Sequence, residues 1–438
     1  MSKHKKIKVV RLYFGKQDHT YQTTGNGEIV IVLVIDDSNV ITDEFYRFNG
    51  KSFYIICRLW KIPPVEGIKV TKFEIGKILD NNVLTTIEKC IGNRSKSLFK
   101  RHSNLEIITM CAFRSRNNGD DLIDEPCIVF YCSCKGVVPI NEETFPKHLD
   151  DIPTDVREGF FYQFPGFLRG STEVLDPLRM GAIISRKDQP SNGTLGGFVT
   201  MGSGDIGFIT AAHVFKTVSG YFTSDDNFDV VQPSRGFFRT NVCGVNAKSF
   251  VSAGLFDGHT IDAALVRITS RKPTRGLFAG MNEQQLKESG YSLEMLPEYD
   301  NAAIRDFRQE QTNRWNTCVK FGASTGLTRG TLCLNGICVK WTDDFITLGN
   351  LNSVCDILYF KQLQIQGHQN LSFAQPGDSG ALVFQVDSDD TNGQRLVCIG
   401  MVVGGTSDNK TVVTPIVPIL NALKVQMHQF NTINMDES

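Results

Sequence analysis

The sequence predicts a mainly β protein with a smaller α+β region at its N-terminus. From about residue 198 onward, short apolar runs of strand type are separated by clusters of Gly, Asn, Ser and Asp, a spacing that fits a closed β-barrel. Before residue 100, alternating strand-like runs are followed by one stretch with helical periodicity.

Residues 1–100 are predicted to form an α+β module. Residues 77–91 have apolar side chains at helical spacing, and Gly92 is the predicted stop. Strands are indicated by alternating apolar runs at 8–14, 28–35 and 53–59. The module contains no catalytic constellation, so the sequence assigns it no function.

The rest of the chain is predicted to contain four segments. These are 101–165, a small α/β module; 166–178, a linker with helix-breaking Gly and Pro; 179–425, a β domain with a polar insertion at 277–316; and 426–438, a tail.

The composition is that of a globular protein long enough for two or three domains. The chain has 438 residues, of which 41% are hydrophobic and 21% are charged. Its formal net charge of −1 argues against a nucleic-acid or anionic-membrane partner, because neither sign of charge dominates.

The sequence predicts an intracellular, cytoplasmic protein without a bound cofactor. Residues 1–10 are basic but lack a signal-peptide core, and no apolar run is long enough to span a bilayer. The 12 Cys are therefore expected as thiols. Cys127, Cys132 and Cys134 show no paired CxxC spacing, so no metal site is predicted.

The most distinctive stretch is 376–384, where Ser379 is flanked by Gly377-Asp378 and by Gly380 before an apolar run. This pattern predicts a tight loop that exposes one hydroxyl at the start of a strand. An unassisted hydroxyl is a poor nucleophile at neutral pH, so a reactive serine needs a histidine base and a carboxylate that orients the base.

The chain contains candidates for both partners. His213 follows two alanines at the end of an apolar stretch, and Asp262 lies at the head of another, where a charge needs a partner such as an imidazole N–H. The order His213, Asp262, Ser379 is that of one known triad arrangement. Taken singly, the three have structural alternatives: a buried histidine, a cap or ion pair, and a β-turn.

Five blocks of the sequence, in this order, resemble a chymotrypsin-like (trypsin-fold, PA-clan) serine peptidase of the intracellular bacterial or metazoan type. The blocks are 193–199, 209–215, 260–268, 319–330 and 376–384. Block 319–330 is similar to the pattern K-x-G-x-x-T-G-x-T-x-G. The resemblance covers roughly residues 175–425 and implies two six-stranded Greek-key β-barrels. Residues 150–156 partly resemble the small α/β module that precedes the barrels in such proteins.

The resemblance also implies roles for individual residues. Ser379 attacks a peptide carbonyl, His213 transfers the proton, and Asp262 holds the imidazole. The backbone N–H groups of Gly377 and Ser379 form the oxyanion hole. Asp378 orders the backbone and is not a second catalyst. Relatives of this type need no new N-terminus, so the full chain is expected to be competent without processing.

Substrate-binding residues are also implied by the resemblance. It places Phe373 at the base of the side-chain pocket, and Val402, Val403, Gly404 and Gly405 on the edge strand that pairs with substrate. Phe373 is no carboxylate and Val402 is no histidine, so a small or apolar preference is expected. The alternative is that Phe373 simply packs in the core.

Two functions are compatible with the sequence. The favoured one is a serine endopeptidase that hydrolyses a protein or peptide substrate through an acyl-enzyme intermediate, with no nucleic-acid or membrane partner. The alternative is a peptidase-fold interaction or sensor protein with no cleavage or only self-directed cleavage. The sequence does not define the physiological substrate or the oligomeric state.

Overall fold

The structure is a computed structural model of the chain. It describes residues 9–17, 29–35, 44–48, 51–59, 65–74, 79–164, 166–167, 173–216, 227–233, 241–256, 258–280, 283–288, 297–306, 317–342, 356–389 and 393–430. Several predictions concern residues outside these ranges: the basic N-terminus at 1–8, residues 168–172 of the linker, parts of the insertion at 277–316, and residues 431–438 of the tail.

Strands dominate the described residues, which confirms the predicted mainly β class. The helices are α1 (Val65–Glu74), α2 (Asn81–Arg101), α3 (Glu283–Glu288) and α4 (Ile416–Leu423). In the part of the chain that the structure describes, no helix is sufficiently long and apolar to cross a membrane.

The strands are β1 (Val9–Gln17), β2 (Ile29–Ile35), β3 (Glu44–Phe48), β4 (Lys51–Leu59), β5 (Leu105–Cys111), β6 (Arg114–Arg116), β7 (Asp121–Ile123), β8 (Cys127–Cys132), β9 (Val137–Pro139), β10 (His148–Leu149), β11 (Ile152–Glu158), β12 (Phe161–Gln163), β13 (Gly166–Phe167), β14 (Ile183–Arg186), β15 (Ser191–Thr194), β16 (Gly197–Thr200), β17 (Ile206–Thr210), β18 (Asp229–Val231), β19 (Val242–Phe256), β20 (His259–Ile268), β21 (Thr317–Gly322), β22 (Gly326–Thr342), β23 (Asp356–Gly367), β24 (Leu382–Asp389), β25 (Gly393–Thr406), β26 (Lys410–Pro415) and β27 (Gln426–Met427).

The first of two compact units comprises residues 1–162, 336–360 and 406–408. One of its sheets has the strand order β3-β4-β2-β1-β9. In the other, β10, β11, β8 and β5 are neighbours in that order, and Cys338 of β22 lies opposite Ile108 of β5. All six residues of β8 are buried. The unit is therefore an α+β structure, as predicted for the N-terminal region.

Helix α2 is longer than the sequence predicts. It begins after Asp80, whose carboxylate accepts a hydrogen bond from the backbone N–H of Asn82. It then continues through Gly92 to Arg101, because Leu98 and Phe99 extend the buried face. A helical glycine costs about 1 kcal/mol relative to alanine, less than the burial of two large side chains contributes. The predicted stop at Gly92 is wrong.

The second unit comprises residues 163–335, 361–405 and 409–438, and begins with a barrel. The barrel strands follow the order β15-β14-β18-β19-β20-β17-β16. Only Leu195 and Gly196 separate β15 from β16, so these two form one bent strand that stands at both ends of the order. Counted in this way, six strands close into a barrel. The short strands β13 and β27 add to the two ends of this order.

The second barrel also contains six strands. Their order is β22-β21-β24-β25-β26-β23, and an additional pairing of β22 with β23 closes the ring. Helix α4 follows β26 directly and buries Ile416, Ile419 and Leu423. The two-barrel architecture therefore follows from the strand pairing itself.

A buried aromatic group holds the strand that follows Ser379. Phe384 of β24 lies 4.8 Å from the ring of Tyr299 and 5.6 Å from that of Phe278, between ring centroids. The Phe278 ring in turn stacks on Phe321 of β21 at 3.6 Å. All four side chains are 2% exposed or less. Because β24 starts three residues after Ser379, this packing fixes the position of the serine.

We predict that Phe384→Ala lowers the free energy of unfolding by about 3–5 kcal/mol, because it leaves a cavity in this aromatic group. Urea denaturation followed by circular dichroism measures the change. Leu371→Ala is the control, since Leu371 is 65% exposed and its truncation should change stability by less than about 0.5 kcal/mol. Equal stability of the two variants contradicts the prediction.

Candidate active site

Three segments of the second unit carry the residues singled out in the sequence. His213 lies in a short 3-10 turn, Ala212–Phe215, directly after β17. Asp262 is the fourth residue of β20, which pairs with β17. Ser379 lies in the turn before β24. Ala211 and Ala212 are fully buried, and their small side chains let the histidine turn pack against its neighbours.

The structure brings His213, Asp262 and Ser379 together. His213 Nδ1 lies 2.6 Å from Asp262 Oδ2, and His213 Nε2 lies 2.6 Å from Ser379 Oγ. The backbone N–H of His213 also donates to Asp262 Oδ1 at 3.0 Å. A carboxylate on Nδ1 requires the proton there, which leaves Nε2 to accept the proton of the serine hydroxyl. This is the arrangement that activates a serine nucleophile.

All three side chains are covered by protein. Ser379 and Asp262 are 0% exposed and His213 is 1% exposed. The side-chain amide of Gln163 donates to Asp262 Oδ2 at 3.3 Å. The buried carboxylate of Asp262 is thus stabilised by the ring, by a backbone N–H and by this amide, as a buried charge requires.

Two glycines shape the turn around Ser379. Gly377 and Gly380 have φ values of +103° and +93°, which favour glycine. A Cβ on Gly377 would also lie 2.1 Å from Ser324 Oγ. The carbonyl oxygen of Gly377 accepts a hydrogen bond from the Thr194 hydroxyl at 2.8 Å. The turn therefore requires glycine at both positions and is tied to β15 through Thr194.

The carboxylate of Asp378 organises the loop on which Ser379 lies. Its Oδ1 accepts the backbone N–H of Ser324 at 2.9 Å, and its Oδ2 accepts the N–H of Gln375 at 3.0 Å and the Thr325 hydroxyl at 2.7 Å. Asp378 is 0% exposed. These contacts are those of a side chain that orders backbone, which is the role expected for it.

Lys320 is an ion-pair partner of Asp378 that the sequence reasoning missed. Its Nζ lies 3.2 Å from Asp378 Oδ2 and donates to Thr325 Oγ1 at 2.5 Å. Both charged side chains are 0% exposed. Burial lowers the pKa of the Lys320 ammonium, while the Asp378 carboxylate opposes that shift. The charge of the Asp378 carboxylate is thus compensated by a buried lysine side chain of β21.

The structure gives a physical reason for the motif at 319–330. A Cβ on Gly322 would lie 2.2 Å from Asp378 Oδ1, so the close approach of the carboxylate requires glycine. The Thr328 hydroxyl donates to the carbonyl oxygen of Phe373 at 2.7 Å. The lysine, glycine and threonines of the block therefore build one support for the serine loop.

The predicted substrate-binding residues are all buried in this structure. Phe373, Val402 and Val403 are 0% exposed, and the Phe373 ring lies 5.9 Å from Lys320 Nζ. Val402 is hydrogen-bonded to the serine turn, since its carbonyl accepts the N–H of Gly380 at 2.9 Å. A Cβ on Gly405 would lie 2.3 Å from the Phe164 ring. The space beside Gly405 is thus filled by an aromatic side chain.

Phe164 is the second residue that sequence reasoning missed. Its carbonyl oxygen accepts the backbone N–H of Gly377 at 2.6 Å, at the position predicted for an oxyanion donor. The sequence placed Phe164 at the end of a small α/β module, and no motif linked it to Ser379. Only its contacts in the structure link Phe164 to the serine turn.

Among the described residues, no cluster of three or more His, Cys, Asp or Glu has the arrangement of a metal site.

Comparisons with known proteins find matches among solved structures. No protein-family model matches the chain, and no curated protein sequence matches it. A glutamic acid specific serine protease that uses a histidine triad in substrate binding is 17% identical, with a TM-score of 0.36 over 57% of this chain and 100% of its own. Thermobifida fusca protease A is 18% identical, with a TM-score of 0.34 over 57% and 98%. Nocardiopsis protease is 16% identical, with a TM-score of 0.33 over 57% and 98%.

We predict that Lys320→Met destabilises the second unit by about 3–5 kcal/mol, because it leaves the buried Asp378 carboxylate without its cation. The double variant Lys320→Met/Asp378→Asn removes both charges and should recover most of that loss. Urea denaturation measures both.

The control for this experiment is Lys187→Met. Lys187 is 45% exposed and pairs with Asp229 at the surface, so its loss should cost no more than about 1 kcal/mol. If Lys320→Met is as stable as Lys187→Met, the ion pair does not hold the loop.

Proposed function

We propose that the protein is a serine endopeptidase that hydrolyses peptide bonds of a protein or peptide substrate. The observation that carries this proposal is the hydrogen-bonded series Asp262–His213–Ser379, with 2.6 Å at each of its two links. A serine, a histidine and an aspartate in this geometry have the roles of nucleophile, base and orienting carboxylate.

The proposed reaction starts when Ser379 Oγ attacks the substrate carbonyl carbon and His213 Nε2 accepts the hydroxyl proton. The carbonyl oxygen becomes negatively charged and is stabilised by the backbone N–H groups of Gly377 and Ser379. The tetrahedral intermediate collapses as the C–N bond breaks, and His213 gives its proton to the leaving amine. Water then hydrolyses the acyl-enzyme by the same steps, with His213 again as base. Asp262 stabilises the imidazolium throughout.

The Lys320–Asp378 pair favours a serine loop that takes its shape without cleavage of the chain. A buried carboxylate beside the nucleophile needs a cation, and an internal lysine supplies it without a newly created N-terminus. This observation supports the expectation that the full chain is competent without processing, as far as the serine loop is concerned.

The alternative function, a peptidase-fold protein with no cleavage or only self-directed cleavage, is favoured by one observation. The N–H of Gly377 is already bonded to the carbonyl oxygen of the chain's own Phe164. Labelling of Ser379 by an active-site reagent separates the proposed function from a protein with no cleavage, because only an activated serine reacts. Cleavage of an added peptide substrate separates it from self-directed cleavage.

We predict that a fluorophosphonate probe labels the purified full-length protein at Ser379 on prolonged incubation, and that Ser379→Ala and His213→Ala abolish the labelling. Peptide mass spectrometry identifies the modified residue. Ser249→Ala is the matched control, because Ser249 is a buried serine bonded to Asn246. Labelling that persists in Ser379→Ala contradicts the proposal.

We predict that Asp262→Asn lowers kcat for a peptide substrate by about 10⁴-fold with little change in KM. The amide holds the imidazole in the wrong tautomer, while the residues that bind substrate stay in place. Initial-rate kinetics measure both constants. Asp229→Asn, which changes a surface ion pair with Lys187, should keep the wild-type rate, and equal loss in both variants would refute the role of Asp262.

A further inference from the structure

Residues 163, 164, 166 and 167, which we name the Phe164 segment, contact the candidate active site. Gln163 ends β12, which is hydrogen-bonded to β25, the strand that contains Gly404 and Gly405. Residues 166–167 form β13, in which Gly166 lies opposite Asn192 of β15 in an antiparallel pair. Pro165 lies outside the described residues. The segment is therefore paired with two strands, β25 and β15.

Phe164 makes the central contacts of this segment. Its carbonyl oxygen accepts the Gly377 N–H at 2.6 Å. Its ring packs against the backbone of Gly405, where an added Cβ would lie 2.3 Å from the ring. The whole residue is only 4% exposed. One residue thus binds the Gly377 N–H through its carbonyl oxygen and fills the space beside Gly405 with its ring.

These contacts are those that a peptide substrate needs. A serine peptidase binds the reacting carbonyl oxygen on backbone N–H donors at about 2.7–3.1 Å. It holds an extended peptide by adding it to a strand edge, while a side-chain pocket supplies specificity. The residue whose carbonyl reacts is the one on the acyl side of the scissile bond. In the Phe164 segment, that residue is Phe164.

We infer that Phe164 occupies, within its own chain, the subsite for the acyl-side residue of a substrate, and that this subsite takes aromatic side chains. The inference rests on the proposed function and names the substrate class of that site: peptides with Phe or Tyr before the scissile bond. It makes the expected small or apolar preference more specific, because an aromatic ring already fits beside Gly405.

The Gly377 N–H also controls access to the site. A substrate carbonyl and the Phe164 carbonyl need the same Gly377 N–H, so only one of them can be bound at a time. The described structure is therefore a latent form, in which the triad is assembled and the oxyanion donor is occupied. Activity on another chain requires the Phe164 segment to leave, and the wild-type protein is slower than a variant in which the segment binds weakly.

Two variants release the segment by different physical means. Phe164→Ala removes the ring that packs on Gly405. Gly166→Ala keeps Phe164 but introduces a Cβ that would lie 2.8 Å from the Gly377 Cα and 2.0 Å from Asn192 Oδ1, so the segment must shift.

Each releasing variant has a matched control. Phe161→Ala truncates a phenylalanine that is 1% exposed and packs against Trp341 and Tyr359. Gly202→Ala adds a Cβ that meets nothing within 4 Å. The controls report the effect of losing a buried ring, or of replacing a glycine, without touching the proposed subsite.

The first measurement is the rate at which a fluorophosphonate probe labels Ser379 in the full-length proteins. The probe's phosphoryl oxygen needs the Gly377 N–H, so we expect labelling to be at least about tenfold faster in Phe164→Ala and Gly166→Ala than in wild type. The Phe161→Ala and Gly202→Ala proteins should label at the wild-type rate.

The second measurement tests the substrate class with the Phe164→Ala protein. Tetrapeptide coumarin amides that differ only in the acyl-side residue are compared for kcat/KM. We expect the Phe and Tyr substrates to exceed the Ala, Lys and Glu substrates by at least about tenfold. A preference for Ala, Lys or Glu overturns the aromatic subsite.

The outcomes separate this inference from the proposed function. If Ser379 is labelled equally fast in wild type, Phe164→Ala and Gly166→Ala, the serine is active and the occupied subsite is refuted. An equal acceleration in Phe161→Ala also refutes it, because any lost ring would then open the site. If Ser379 stays unlabelled in every variant, the peptidase function itself fails, and the subsite assignment fails with it.

Discussion

The candidate site depends on the compensation of one buried charge, that of Asp378. A carboxylate with no exposure to water is costly unless a cation and hydrogen-bond donors surround it. Lys320, Thr325 and the N–H groups of Ser324 and Gln375 supply these contacts. Because Asp378 is adjacent to Ser379, every contact that satisfies the carboxylate also fixes the serine loop.

Barrel closure supplies the second constraint. The histidine turn follows β17, and Asp262 lies on β20, the strand paired with β17 in the first barrel. Ser379 precedes β24 of the second barrel, and Phe384 anchors that strand among aromatic rings. The distances of 2.6 Å within the triad therefore result from the packing of closed sheets, whose interiors tolerate little displacement.

Two contacts act on the candidate site in different ways. The Lys320–Asp378 ion pair holds the serine loop, whereas the Phe164 carbonyl oxygen occupies the Gly377 N–H. Under the proposed function, the catalytic groups would stay in place while access to them changes. The Lys320–Asp378 pair agrees with the expectation that the full chain is competent without processing. The hydrogen bond from Gly377 to the Phe164 carbonyl oxygen does not follow from that expectation.

The sequence by itself determined the mainly β class, the strand-rich region after residue 179, and His213, Asp262 and Ser379 as candidates, because alternation, turn residues and short motifs are local properties. It did not determine the end of α2, where burial of Leu98 and Phe99 outweighs a helical glycine. Only the tertiary structure identified Lys320 as the partner of Asp378, and placed the Phe164 carbonyl on Gly377. Both contacts join residues far apart in the chain, and no local pattern encodes which distant groups meet once the barrels close.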